Sequence, residues 1–550
     1  MRALSILIMV LCMLAACEKE GGLYDDAFDT AGLGEACSAL IFCEKDFLCE
    51  QGFCVERPDS DLAAPDSDRP PLPDVDKTAA PDLPGLSDDA DTPEFTDEAD
   101  LVPDIDWNGL CDGDAEVNEL SLPHFIGCDR IAGDLSIDAT ILTAVEELHT
   151  IERIEGSLII ARNVLLNDLQ GLRSLKSIGG SLQVVDNVRL IDLSDMTALQ
   201  AVGGEIRAKN NRRLSTIGLP SVENAGALWL ERNPRLSSLD LPALRTIPGS
   251  FFLIDNDQMV TLSGLPLLST LDSLFLADND GLVGLSTAPL LLTHLSRITI
   301  RNNREMRSLA GLEGLLSSGD IGLYDNPELA ALKGLEALQQ VNGSLTIERC
   351  GIRSLDALKH LIQITGSFIL RENGELVDPF GPPMLNAVEA YIVIHRNPAL
   401  EKLGSFPAIQ TAGGLSVIGN PLLTDLAGLA TLYALNNALE IKENPSLRDL
   451  AALSGLFHIA GRVSILMNDS LAATDAFPSL VSIGGDLAVG YNPLLGMMGF
   501  SALTGLGGNL FVVDNPELPQ CAAEQLRDRL TEWYGIPQIE GNDVTAQCSP

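Results

Sequence analysis

The sequence predicts a repeat solenoid, mainly β, whose parallel strands stack from leucine-rich coils of 22–24 residues. Three observations predict it. An asparagine returns at that interval: Asn163, Asn187, Asn211, Asn233, Asn256, Asn279, Asn303, Asn326, then Asn373, Asn397, Asn420, Asn444, Asn468, Asn492 and Asn515, with Cys350 standing in the column after Asn326. Aliphatic or aromatic pairs precede most of these by five and three residues, as in Leu158 and Ile160, Leu182 and Val184, Phe251 and Leu253, and Ile392 and Ile394. Leucine usually follows three residues later. Alternation with period two is the mark of a half-buried strand, so each coil is predicted to contribute one short strand. Strands of successive coils then stack about 4.8 Å apart.

The asparagine column follows from the turn after each strand. There the chain bends inward and leaves backbone groups that the strand ladder cannot reach. A buried side-chain amide supplies two donors and an acceptor to pair with them. Cys350 fills space in that column but brings no amide donors, and is expected to be a buried free thiol. Glycine sits seven residues before the column in the early coils (Gly156, Gly180, Gly204, Gly226, Gly249), where it permits a tight bend into the strand.

The start of the array reads Cys128-Asp-Arg-Ile131-Ala-Gly133-Asp-Leu135-Ser-Ile137 and resembles the opening of the receptor L domain. That family is a leucine-rich, β-helix-like module of growth-factor receptor ectodomains and many bacterial surface proteins. The resemblance covers about residues 111 to 518 and implies a recognition function rather than chemistry.

The chain is predicted to begin with an envelope address. Met1-Arg2, an apolar run from Ala3 to Leu14 and small residues before Cys17 make a secretory signal over 1–16. Leu14-Ala15-Ala16-Cys17 resembles a bacterial lipobox, which implies Cys17 as the lipidated first residue of a segment 17–36. The run is too short to span a bilayer permanently, so lipid is the expected anchor. Glu18, where an inner-membrane retention signal has Asp, points to the outer membrane. Export agrees with cysteine usage. Cys37, Cys43, Cys49 and Cys54 form a compact module over 37–57, with two disulfides in one of three connectivities. Cys111–Cys128 and Cys521–Cys548 are expected to close the ends of the solenoid, each contributing about 3 kcal/mol.

Residues 58–106 form a linker. From 59 to 106 there are 16 acidic residues against Arg69 and Lys77, giving −14 of the chain's net −42. Rich in Pro, Ala and Ser, the stretch is predicted to be a disordered, self-repelling tether reaching about 40 Å. Its Pro65-Asp-Ser-Asp68 and Pro73-Asp-Val-Asp76 phrases lack the glycine and glutamate of a calcium loop. No metal and no cofactor is expected, and a surface this acidic repels nucleic acid. Beyond the linker come an N-terminal cap over 107–134, the solenoid over 135–518, and a C-terminal helical and disulfide cap over 519–550. The cap's helical spacing runs through Ala522, Leu526, Leu530 and Trp533.

The binding residues are sought on the outward face of the sheet. If the residues five and three before the column point inward, those six, four and two before it face solvent. Trp229, Phe252 and Phe275 then stand in one outward column, with Ile254 beside Phe252; Arg301, Tyr324, Arg371 and His395 follow in the next. An apolar patch with polar flanks marks an interaction surface, and Trp, Tyr and Arg anchor interfaces. Cross-strand stacking that only stiffens the sheet is the competing reading. Catalysis has little support: six histidines are scattered through different coils, and no His-Glu-x-x-His, Gly-x-Ser-x-Gly or phosphate loop appears. Five Asp-Asn dipeptides, such as Asp255-Asn256, are expected to be solvated turn residues beside the column. The function expected is non-covalent binding of a protein or glycan by a lipid-anchored surface protein; the alternative is an envelope spacer without a ligand.

Overall fold

A computed structural model describes residues 111–548 except 378–380, 405 and 475, together with four short strands nearer the N-terminus. The chain divides into two units, Met1–Glu98 and Ala99–Pro550. In the first, Thr30–Ala31 pairs with Phe42–Cys43 in parallel, and Phe47–Glu50 with Phe53–Glu56 as an antiparallel hairpin that sets Cys49 opposite Cys54. The signal segment, lipidation at Cys17, the pairing of the four clustered cysteines and the acidic tether lie outside the described residues.

The second unit is a parallel β-solenoid. Its main sheet runs without a break from Ala115–Glu116 to Pro537–Glu540. Residues five and three before the column are inward and buried, as Leu158, Ile160, Leu228, Leu230, Phe251 and Leu253 show. The leucine three residues after it closes the coil from the other side; Leu166, Leu190, Leu214 and Leu236 are all fully buried. Each such side chain contributes about 1.5–3 kcal/mol by leaving water. Short 3₁₀ turns, such as Gln170–Leu172 and Ala427–Leu429, line the side opposite the sheet in several coils.

The single strand expected per coil is two segments in many coils, Arg153–Ile154 and Leu158–Ala161 for example. In others they fuse, as in Ala201–Lys209 and Thr246–Ile254, with a register shift where the segments meet. The early glycine column marks this junction. Gly156, Gly180 and Gly204 do not have positive φ, so the tight bend expected of them is not their reason. A Cβ on Gly180 would stand 2.9 Å from the Gly156 carbonyl, and one on Gly204 would stand 3.0 Å from that of Gly180. Glycine is needed there because the backbones of neighbouring coils approach too closely for a side chain.

The left-handed turn lies elsewhere. The residue immediately before the column has φ between 49° at Arg349 and 58° at Asp186 in the non-glycine coils, and 71° at Gly419. Asn, Asp and Gly tolerate this region best. That is why Asp186, Asp255, Asp278, Asp325 and Asp514 each precede a column asparagine.

All fifteen asparagines are fully buried. The Oδ1 of Asn187 accepts from the backbone N–H of Asn163 at 3.2 Å and from its Nδ2 at 3.1 Å, while the Nδ2 of Asn187 donates to the Ile160 carbonyl at 2.8 Å. The same pattern recurs from coil to coil. Thr140 begins the column, its hydroxyl donating to Asn163 Oδ1 at 2.8 Å. Asn542 ends it, accepting from Asn515 and donating to the Val512 carbonyl at 2.9 Å. With Cys350, eighteen residues share the column.

Cys350 is a buried free thiol. Its backbone N–H keeps the bond to Asn373 Oδ1 at 3.0 Å; Asn326 Nδ2 still donates to the Ile300 and Tyr324 carbonyls at 2.9 and 2.8 Å, but where the next amide oxygen would stand it finds sulfur, at 3.9 Å. Burial pushes the thiol up to about 11. Cys350→Asn restores a strong acceptor for Asn326 and is expected to raise the unfolding free energy by about 1–2 kcal/mol, read from urea denaturation. A loss of stability would mean that the cavity is shaped for sulfur.

Both ends are closed by disulfides, Cys111–Cys128 and Cys521–Cys548, each with Cα atoms 6.0 Å apart. At the first end Phe125 is fully buried under the 3₁₀ turn Leu122–Phe125. At the second, the helix Gln520–Arg529 buries Ala523 and Leu526. It stops short of the Leu530 and Trp533 of the expected helical spacing, because strand pairing takes over there. Glu532–Trp533 pairs with Gly505–Leu506, and Trp533 Nε1 donates to the Gly508 carbonyl at 2.8 Å. Trp533 packs against the core from a strand of the last coil.

Candidate recognition surface

The strand register brings Trp229, Phe252 and Phe275 side by side on the outward face. The rings stack, with centroids 4.4 Å apart between Trp229 and Phe252 and 5.7 Å between Phe252 and Phe275. A guanidinium covers each end of the stack: Arg207 lies 5.1 Å from the Trp229 ring and Arg301 lies 5.4 Å from the Phe275 ring. Such contacts are worth about 0.5–1 kcal/mol at exposed sites. Trp229 Nε1 donates to Glu231 Oε2 at 3.0 Å, and Lys209 pairs with Glu231 at 3.1 Å. The three aromatic rings and Ile254 are half-buried. Their faces are taken up by one another and by arginine, so the stack offers its edges to a partner.

Tyr324, Arg371 and His395 do not join this stack. Tyr324 folds back over Gly322 of its own strand, where a Cβ would collide with its ring. Burial, partly opposed by a hydrogen bond with Thr346, raises its phenol above the usual range. Arg371 faces Glu348 at 4.0 Å, and Glu348 also pairs with Arg349. His395 Nε2 lies 2.8 Å from Ser416 Oγ, which in turn donates to Glu440 at 3.4 Å. Glu440 is bound by Lys442 at 2.9 Å and Arg462 at 2.7 Å. Burial opposes its carboxylate, but Lys442 and Arg462 hold it below the usual range. Burial, then Arg371, depress His395 to about 4.

This His–Ser–Glu chain has the wrong order for nucleophilic catalysis. The carboxylate meets the hydroxyl instead of orienting the imidazole, and Ser416 is only 1% exposed. Part of the face expected to meet solvent is in fact covered. Ile369 and Val393 point outward yet are buried, with Arg371 and His395 on one side of their column and Tyr391 lying over Gly414 on the other.

Sequence reasoning did not see Arg207, which pairs with Trp229 in the same outward column, as the lid of the stack. It also missed Tyr433 and Phe457, which stack at 5.9 Å and 11° on another face. Their signal is an eleven-residue offset before Asn444 and Asn468. Among the described residues, no group of three or more His, Cys, Asp or Glu is placed to hold a metal ion, and no helix is long and apolar enough to cross a membrane.

Residues 127–219 match the model of the receptor L domain family. The solenoid is receptor-L-domain-like over this stretch, and scaffolds of that kind typically bind ligands rather than transform them. Solved structures similar to this chain include an internalin (inlF) from Listeria monocytogenes, at 15% identity over 71% of this chain and 88% of that one, with a TM-score of 0.27. The functional domain of InlJ from Listeria monocytogenes is 14% identical, covering 64% and 67%, with a TM-score of 0.24. YopM from Yersinia enterocolitica is 17% identical, covering 74% and 89%, with a TM-score of 0.18. No curated protein matches the chain.

Proposed function

We propose that this chain is a lipid-anchored bacterial surface protein, held at the outer membrane through Cys17, whose solenoid binds a protein or a glycan on its sheet face without turnover. The observation that carries the reading is the half-exposed Trp229–Phe252–Phe275 stack with Ile254, an apolar strip on a sheet whose other outward positions are mostly polar or charged. A protein fits it better than a sugar, because a sugar ring stacks on a free aromatic face and these faces are occupied. The same occupancy favours one competing reading, a spacer whose stack only stiffens the sheet.

A binding screen of the full chain against glycans and purified envelope proteins, run beside Trp229→Ala, separates the two. The variant is expected to lose at least tenfold in affinity for any ligand found, with a stability change of about 1–2 kcal/mol from the lost stacking. Equal affinity in both forms rules the stack out as the binding site. Anchoring is tested separately. Cys17→Ser is expected to move the protein from the membrane fraction to the soluble envelope fraction and to abolish labelling with a radioactive fatty acid.

A further inference from the structure

Alongside the aromatic strip runs a groove of about 720 Å³ lined by Asp255, Asp257, Asp278, Asp280 and the arginines Arg304 and Arg349, among others. Asp325, paired with Arg349, is a fifth aspartate in the lining. Carboxylates alone make no site; the register of the first four with the apolar strip gives them meaning. Along one coil the order is Phe252, Ile254, Asp255, Asp257, and along the next Phe275, Ala277, Asp278, Asp280. The strands hold Phe252 beside Phe275 and Ile254 beside Ala277, so an apolar band and an acidic band lie next to each other across the same two coils. The acidic band is only partly neutralised. Arg232 stands 3.6 Å from Asp255 and Arg304 stands 3.3 Å from Asp280. Asp257 accepts the Asp280 backbone N–H at 3.2 Å, and Asp278 accepts the Asn302 amide at 2.9 Å, both neutral donors. Burial, and next the Asp257 charge, hold the Asp255 carboxyl above its usual range; an added cation offsets the second of these.

The cations in the strands beside the strip are committed elsewhere: Arg207 and Arg301 cap the stack, and Lys209 pairs with Glu231. We infer that this surface takes an extended protein segment in which a Lys or Arg alternates with apolar side chains, the cation entering the Asp255–Asp280 groove and the apolar groups lying on Phe252, Ile254 and the edge of Phe275. The inference rests on the proposed sheet-face recognition and names the chemistry of its partner. Charge complementarity selects a basic segment over an acidic one, and the apolar strip selects it over a merely basic one.

The test uses the full chain at physiological salt with three nine-residue peptides: alternating Lys and Leu, alternating Glu and Leu, and alternating Lys and Ser. Binding is read by calorimetry. The Lys/Leu peptide is expected to bind at least tenfold more tightly than either of the others. Asp257→Asn combined with Asp280→Asn, and separately Ile254→Ser, are each expected to weaken it at least tenfold. Asp469→Asn combined with Glu517→Gln removes the same charge from exposed positions elsewhere and is expected to leave binding unchanged. Absence of Lys/Leu binding, equal binding of the Glu/Leu or Lys/Ser peptide, or equal weakening by the remote pair overturns the inference. If a ligand from the screen depends on Trp229 yet ignores the Asp257 and Asp280 substitutions, the partner chemistry fails and sheet-face recognition stands. If Trp229→Ala also leaves every ligand untouched, both fail.

Discussion

Asn256→Ala is expected to cost about 3–5 kcal/mol, among the largest effects a single substitution has in a chain of this kind. The side chain is fully buried. Its Oδ1 accepts the backbone N–H and the Nδ2 of Asn233 at 3.1 and 3.2 Å, and its Nδ2 donates to the Leu230 and Ile254 carbonyls at 3.0 and 2.8 Å. Truncation therefore orphans groups in its own coil and in the preceding one, and each unsatisfied buried group costs about 1–3 kcal/mol before relaxation. Urea unfolding of the variant measures the loss. Because each coil contacts only its neighbours, hydrogen exchange should accelerate first in the coils from Asn211 to Asn279. A cost under about 1 kcal/mol would mean that water replaces the amide, and the column would then not be what orders the turns.

Phe368→Ala comes next, at about 3–5 kcal/mol. Phe368 is fully buried and meets Phe406 at 6.3 Å with rings inclined by 66°. Most inward positions hold Leu, Ile or Val, so this phenylalanine fills a larger volume than the side chains at most equivalent positions. The variant leaves a cavity between coils and loses the edge-to-face contact. Phe368→Leu, which keeps most of the volume, is expected to lose about half as much. Equal losses in the two variants would assign the effect to the ring contact instead of the cavity. Both are read from the same denaturation experiment.

The fold was legible because the column residue does one job in every coil. Asn163 and Asn515 occupy equivalent places, 352 residues apart in sequence, and the period alone shows it. The inward pairs followed from alternation. Two features were not legible. The glycines at 156, 180 and 204 look like turn residues, and only the distance between adjacent coils reveals that they make room for backbone. The aspartates before the column read as solvated turn residues, and only the backbone torsion shows that the turn is left-handed and favours them. The outward face was half legible. Register follows from the repeat, so Trp229, Phe252 and Phe275 had to meet. How far a long side chain leans along the sheet does not follow from it. Tyr324 therefore lies over its own strand, and His395 sits in a buried polar chain with Ser416 and Glu440 in place of an open site.

The amide column also has a direction. In nearly every step the Nδ2 of one asparagine points toward the Oδ1 of the next coil, as from Asn163 to Asn187 and from Asn468 to Asn492. Aligned dipoles polarise one another, and each added member strengthens those before it. Sulfur at position 350 transmits this polarisation poorly and cuts the column into two electrostatic arms of eight amides each, Asn163 to Asn326 and Asn373 to Asn542. Cooperativity then builds within an arm and fades across the break. Heating should melt the solenoid in two steps that meet near Cys350, and an asparagine at that position should merge them into one.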